Sequence, residues 1–184
     1  MKDSTTKGFE QSYNCQSAVD EKAQIIVASQ VTQQENDKEQ VQPMIKAITK
    51  NTAGKKPKRL SADAGYFSED NCKTLAKAEV DAYVATNKKP HGKYPPATAP
   101  RGRIPNNATI KERMERKLTT QKGRMIYCKR KQIVEPVFGQ IKEVRGFRRF
   151  SLRGLSNVAA EWDIICLTHN ILKLFRSGWV PAVP

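Results

Sequence analysis

"KRLSADAGYFSEDNCKTLAKAEVDAYVAT", residues 58–86, decides how this chain is organised. An apolar run around Leu60 stops on an acid, Asp63, and passes through Ala64 and Gly65 to Tyr66. Ser68 then stands as an N-cap before the helical "SEDNCKTLAKAE", and "VDAYVAT" returns to strand-forming residues. Strand, turn, helix and strand in that order mark an α/β domain. An acid that ends a strand has two readings. It satisfies backbone amides of the turn that follows, or it is half of a metal site.

Working outward, "YNCQSAVD" (13–20) alternates, with Tyr13, Cys15, Ser17 and Val19 on one side, and "AQIIVASQVT" (23–32) is β-branched with polar ends. The two are close enough to pair as an antiparallel hairpin across Asp20-Glu21-Lys22. Val41, Met44, Ile45 and Ile48 recur at helical spacing after Asn36-Asp37, with Gly54 as the stop. Pro43 is compatible with that helix only in its first turn. The order ββαβαβ implies a mixed sheet flanked by helices. Five of the ten prolines fall between Pro90 and Pro105 among Lys and Arg, which reads as an extended basic loop.

Beyond it the pattern is helical. The stretch 107–144 is broken near Gly123 and disturbed at Pro136. "LSNVAAEWDIICLTHNILKLF" (155–175) sets Leu155, Val158, Ala159, Trp162, Ile165, Cys166 and His169 on one core-facing stripe. The expected segments are a polar 1–12, a ββαβαβ part at 13–86, a basic Pro-rich loop at 87–110, C-terminal helices at 111–176 and a tail at 177–184.

The 184 residues, 38% hydrophobic, suit one domain of ordinary size. No apolar run approaches the roughly 18 residues of a membrane span, and the start lacks a signal peptide's apolar stretch, so an intracellular, cytoplasmic protein is expected. Cys15, Cys72, Cys128 and Cys166 form no C-x-x-C pair and read as reduced, largely buried thiols.

The net charge of +15 is located, not spread. Residues 1–86 carry 12 basic and 12 acidic side chains, residues 87–153 carry 19 and 4, and residues 154–184 carry 2 and 2. A block this lopsided favours a polyanion, and phosphate backbone is the commonest one. Within it, "KRKQIVEPVFGQIKEVRGFRRF" (129–150) sets Glu135 between cations, in a segment otherwise nearly free of acids. On a helix of 3.6 residues per turn Lys131, Glu135 and Lys142 share a face. Flanked by Val134, Val137, Phe138 and Ile141, Glu135 is expected at the edge of the core. A carboxylate is costly there unless it pairs or binds a metal. The plain alternative is a surface ion pair with Lys131, worth a few tenths of a kcal/mol.

"SADAGY" after a strand, the helical "RKQIVEPVFGQIK" and "RGFRRFSLRGL" together resemble the C-terminal part of the DDE transposases of bacterial insertion sequences, over Tyr13 to Phe175. The resemblance implies a ribonuclease-H-like fold, DNA strand cleavage and strand transfer at insertion-sequence ends, and double-stranded DNA and a second copy of the chain as partners. It implies Asp63 as the second acid of the triad, Glu135 as the third, and Lys142 seven residues on. The family's signature would set a tyrosine at 128 and an arginine at 131. Here those positions hold Cys128 and Lys131, and Tyr127 is one place early. The metal implied is Mg²⁺ in a two-ion site held by Asp63 and Glu135, since hard oxygen ligands suit it and two ions about 3.5–4 Å apart activate both the attacking and leaving oxygens. Lys131, Lys142, Tyr66, Arg145, Arg148 and Arg149 are the expected DNA contacts.

The first acid belongs on a strand ahead of the hairpin, and only a polar dozen residues precede Tyr13. Asp3 lies in no expected strand, and Asp20 reads as a turn former, with a first-acid role the alternative. The expectation is therefore a chain lacking the family's upstream half, its first strand and first acid, with little catalysis on its own. A non-catalytic DNA-binding remnant and a nuclease of the same fold are the other two readings.

Overall fold

The computed structural model describes residues 12–87 and 102–178. Most of the expected N-terminal segment, the heart of the Pro-rich loop and the end of the tail lie outside them. The chain divides into two units, Met1–Glu35 with Ile133–Pro184, and Asn36–Gln132.

In the first unit β1 (Asn14–Val19) and β2 (Ile26–Thr32) form the expected antiparallel hairpin. Asn14 faces Thr32 and Ala18 faces Ala28, with a register slip before Val19↔Ile26. Asp20 makes the turn. Its Oδ2 accepts from the amides of Lys22 (3.0 Å) and Ala23 (2.8 Å), which is the local bonding that turn aspartates supply. Against the hairpin packs α5 (Leu155–Arg176), with Asn170 accepting from Ile26 N and donating to Ile26 O, each at 2.8 Å.

The core of this unit is Ile26, Val31, Val137, Ile141, Val158, Trp162, Ile165 and Cys166, edged by Tyr13, Cys15, Val19, Phe138 and Phe150. Trp162 stacks on Phe138 (6.1 Å, 14°) and meets Phe150 edge-on (6.3 Å, 83°). Such side chains contribute about 1.5–3 kcal/mol each on burial. The α5 stripe is as the spacing predicts, except that Leu155 is exposed. Gln16, on the mostly polar face of β1, is buried as well and donates to Asn14 Oδ1.

In the second unit Asn36 caps a 3-10 turn, Asp37–Gln40, which runs into α1 (Val41–Asn51). Pro43 is the third residue of α1, where no intrahelical donor is lost. β3 (Arg59–Ala62), α2 (Glu69–Lys77) and β4 (Asp81–Val84) form a parallel crossover, with Leu60 opposite Ala82 and Ala62 opposite Val84. α2 seats Cys72 and Leu75 in the core beside Val80, Ala82, Tyr83 and Val84. Lys117 of α3 (Ile110–Thr119) donates to Ala82 O (2.8 Å) and pairs with Asp81, its ammonium 4.2 Å from the Tyr83 ring.

Two expectations need correction. The ββαβαβ order is present, but among the described residues the four strands form two two-stranded sheets and not one mixed sheet. The physical reason is that each strand pairs with the one nearest in sequence, on one edge only, and β3 and β4, at four residues each, offer little edge for a distant strand to register on. The break in the C-terminal helices falls at Thr120, not at Gly123. α4 (Gln121–Gly139) includes Gly123 in its first turn, where a Cβ would lie 1.9 Å from Lys117 O. α4 runs past Pro136 into a π-helical turn, Gln140–Val144, closed by Arg145 N to Gln140 O at 3.0 Å.

Candidate functional site

Asp63 stands at the end of β3 and caps the 3-10 turn Ala64–Tyr66, its Oδ1 accepting from Gly65 N at 3.0 Å. The capping reading of the sequence is therefore satisfied by one carboxylate oxygen. Gly65 is not in the left-handed region. Its lack of a side chain answers a different need, because a Cβ there would lie 2.8 Å from Asp37 Oδ2 and 3.1 Å from Asp63 Oδ1. The turn is held from behind by Asn71, whose Nδ2 donates to Tyr66 O (2.9 Å) and to Lys38 O (2.7 Å), while Ser68 caps α2 at Asn71 N. One side chain thereby ties the Asp37 segment to the Asp63 segment.

Tyr66 is half-buried in this setting. Burial raises its phenol well above the ordinary value, the charges of Asp37 and Asp63 raise it further, and the Arg130 guanidinium opposes them. The phenol is a donor, not an anion, at physiological pH. Arg130 lies 5.6 Å from the Tyr127 ring, and its buried Nε makes no hydrogen bond among the described residues. These residues all belong to the second unit. Asp63 keeps Oδ2 outside the cap, a hard oxygen of the kind a divalent cation such as Mg²⁺ takes.

Glu135 belongs to the first unit. It is exposed, which corrects the core-edge expectation, because α4 turns Val137 inward, as the π-helical turn does Ile141, and leaves Glu135 outward. Glu135 makes no ion pair or hydrogen bond among the described residues, so the surface pair with Lys131 is not formed. Lys131 is half-buried, and Lys142 is exposed with its ammonium 5.7 Å from the Phe138 ring. Lys142 lies inside the π-helical turn, so the 3.6-residue period used to align it with Glu135 does not apply there.

The three arginines differ. Arg145 donates to Ile165 O (3.1 Å) and Thr168 Oγ1 and lies 4.8 Å from the Phe147 ring, so it ties the 145–150 segment to α5. Arg148 pairs with Glu143, and Arg149 is exposed. Of the cysteines, Cys72 and Cys166 are buried and Cys15 half-buried, and burial pushes Cys15 up to about 11 and Cys166 up to about 12, so both stay thiols. Cys128 is exposed, against the expectation of burial.

No group of three or more His, Cys, Asp or Glu side chains is gathered for a metal among the described residues. No described helix is long and apolar enough to cross a membrane. No motif in the sequence marks Asp37 or Arg130: Asp37 reads as part of a helix cap, and Arg130 stands three residues after Tyr127, the tyrosine-to-arginine spacing displaced by one place.

Compared with known proteins, residues 2–171 match the family model described as "Transposase DDE domain". No curated protein and no solved structure matches the chain.

Proposed function

The chain belongs to the transposase DDE domain family, and on that premise we propose that it acts in DNA transposition through cleavage and joining of phosphodiester strands at insertion-sequence ends. The observation that carries this reading is that the family match runs through Asp63 and Glu135 alike. The ββαβαβ order supports a ribonuclease-H-like fold. Asp63 offers the oxygen not used in capping, and Glu135 offers an exposed carboxylate. Each carboxylate is a hard oxygen ligand of the kind that would hold a divalent ion, which when bound would supply Lewis-acid activation of the attacking and leaving oxygens. The residues' own work is to hold DNA in place. Arg149 and Lys142 extend exposed charge along the segment that carries Glu135. Arg145 serves the fold.

Asp20 spends its Oδ2 on its own turn, and this favours the second reading, a DNA-binding form with little catalysis by this chain alone. The test is fluorescence anisotropy with duplex DNA over a salt series, followed by cleavage assays in Mg²⁺ and Mn²⁺. Binding is expected to weaken with salt with a log–log slope of about −0.9 per phosphate neutralised. Arg149→Ala should weaken it and flatten the slope, and Arg145→Ala should leave the slope unchanged. Absence of binding at low salt would refute both readings. Cleavage abolished by Asp63→Asn would decide for the first, and efficient cleavage that needs Asp20 would overturn the assignment of Asp20 to the turn.

A further inference from the structure

An acid from α5 reaches into the arginine-rich stretch 145–153. The carboxylate of Glu161 accepts from Ser151 N at 2.9 and 3.1 Å through its two oxygens, and from Leu152 N at 2.9 Å. Those backbone amides hold its carboxyl below the usual carboxylate range, so it is an anion at neutral pH. The two ends of the stretch are secured differently. Near Arg145 the backbone closes on itself, with Arg145 N donating to Gln140 O at 3.0 Å and Phe147 N to Ile141 O at 3.1 Å. At the far end the amides of Ser151 and Leu152 take no backbone carbonyl among the described residues, and Glu161 is their acceptor. Gly154 N donates to the Tyr13 hydroxyl at 3.1 Å.

Phe150 seats its ring edge-on against Tyr13 (6.2 Å, 87°) and Trp162. Apolar contact is non-directional, whereas hydrogen bonds fix the direction in which the backbone leaves. Arg148 is engaged by Glu143, and Arg149, two residues before Ser151, is exposed. We propose that Glu161 is a positioning residue for DNA, which by fixing the amides of Ser151 and Leu152 aims Arg149 at the phosphate backbone. The inference rests on the reading of the basic segment as a DNA contact. A carboxylate beside a phosphate path repels it, so this acid opposes binding unless it orders the arginine. Ordering before the partner arrives lowers the entropy lost on binding.

The experiment is fluorescence anisotropy of the purified chain with duplex DNA over a salt series, with circular dichroism of each variant. Glu161→Ala should weaken binding and flatten the log–log salt slope by about 0.9, the share of one phosphate contact. Charge alone predicts the opposite, tighter binding on loss of an acid. Glu161→Gln keeps the length and one accepting oxygen, should weaken binding less, and carries the test if Glu161→Ala does not fold. The double variant with Arg149→Ala should bind no more weakly than Arg149→Ala alone, because both changes remove the same contact. Glu143→Gln removes an equal charge and releases Arg148, so it should tighten binding. Unchanged or tighter binding in the folded Glu161 variants, additive losses in the double variant, or weaker binding in Glu143→Gln overturns the inference. If binding needs Arg149 and not Glu161, only the inference fails. If Arg149→Ala also binds as the wild type does, the DNA reading of this segment fails with it.

Discussion

Trp162→Ala should be the most damaging single truncation in the unit that carries Glu135. The indole is 4% exposed, stacks on Phe138 and meets Phe150 edge-on, so it lies against the α4 turn that follows Glu135 and the segment that follows Arg149. Removing a buried Trp side chain costs about 3–5 kcal/mol through lost transfer energy and the cavity left behind. Aromatic pairs are worth about 0.5–1.5 kcal/mol each beyond their area, so the upper half of that range is expected. The Nε1 contact to Gln16 O is long, at 3.4 Å, and adds little. For a chain of this size each kcal/mol lowers Tm by about 2–4 °C, which gives a fall of about 10 °C or more. Trp162→Phe keeps a ring in the site and should lose less than half as much. Urea unfolding followed by far-ultraviolet circular dichroism measures both. A loss below about 1 kcal/mol in Trp162→Ala would refute the claim that this cluster holds the Glu135 helix in place.

His169 is fully buried, with Nε2 against Gln24 O at 3.0 Å and Nδ1 without a hydrogen bond among the described residues. Burial, then the charges of Lys173 and Arg145, lower its pKa against the opposing Gln24 carbonyl. Below about pH 6.5 the unfolded chain takes up a proton that the folded chain refuses, so stability should fall with pH at up to about 1.4 kcal/mol per unit and level off below the folded pKa. Unfolding titrations at pH 7.5 and 5.5 should show this slope in the wild type and a smaller one in His169→Leu, and equal slopes would sink the account. The second copy implied by the family resemblance has a candidate surface in Ile164, Leu167, Ile171 and Leu174, exposed on α5 at heptad spacing. Sedimentation velocity should detect a dimer that Leu167→Lys abolishes, and a monomer at all concentrations would remove this surface from the proposal.

Local chemistry made much of the fold legible. The Ser68 cap, the hairpin, the α5 stripe from Val158 to His169 and the strand–helix–strand around Asp63 all follow from residue spacing, because capping and burial periodicity act within a few residues. Sheet membership was not legible, since which strands share a ladder depends on pairing between distant segments. The candidate site divides the same way. The sequence by itself determined that an acid ends β3 and that basic charge gathers in one segment. Only the tertiary structure decided that Asp37, remote in the chain, lies against Gly65, that the Arg130 guanidinium lies near enough to Tyr66 to oppose the rise of its phenol, and that Arg145 is occupied by Ile165 and Thr168. Each of those depends on through-space approach of side chains whose sequence positions carry no common period.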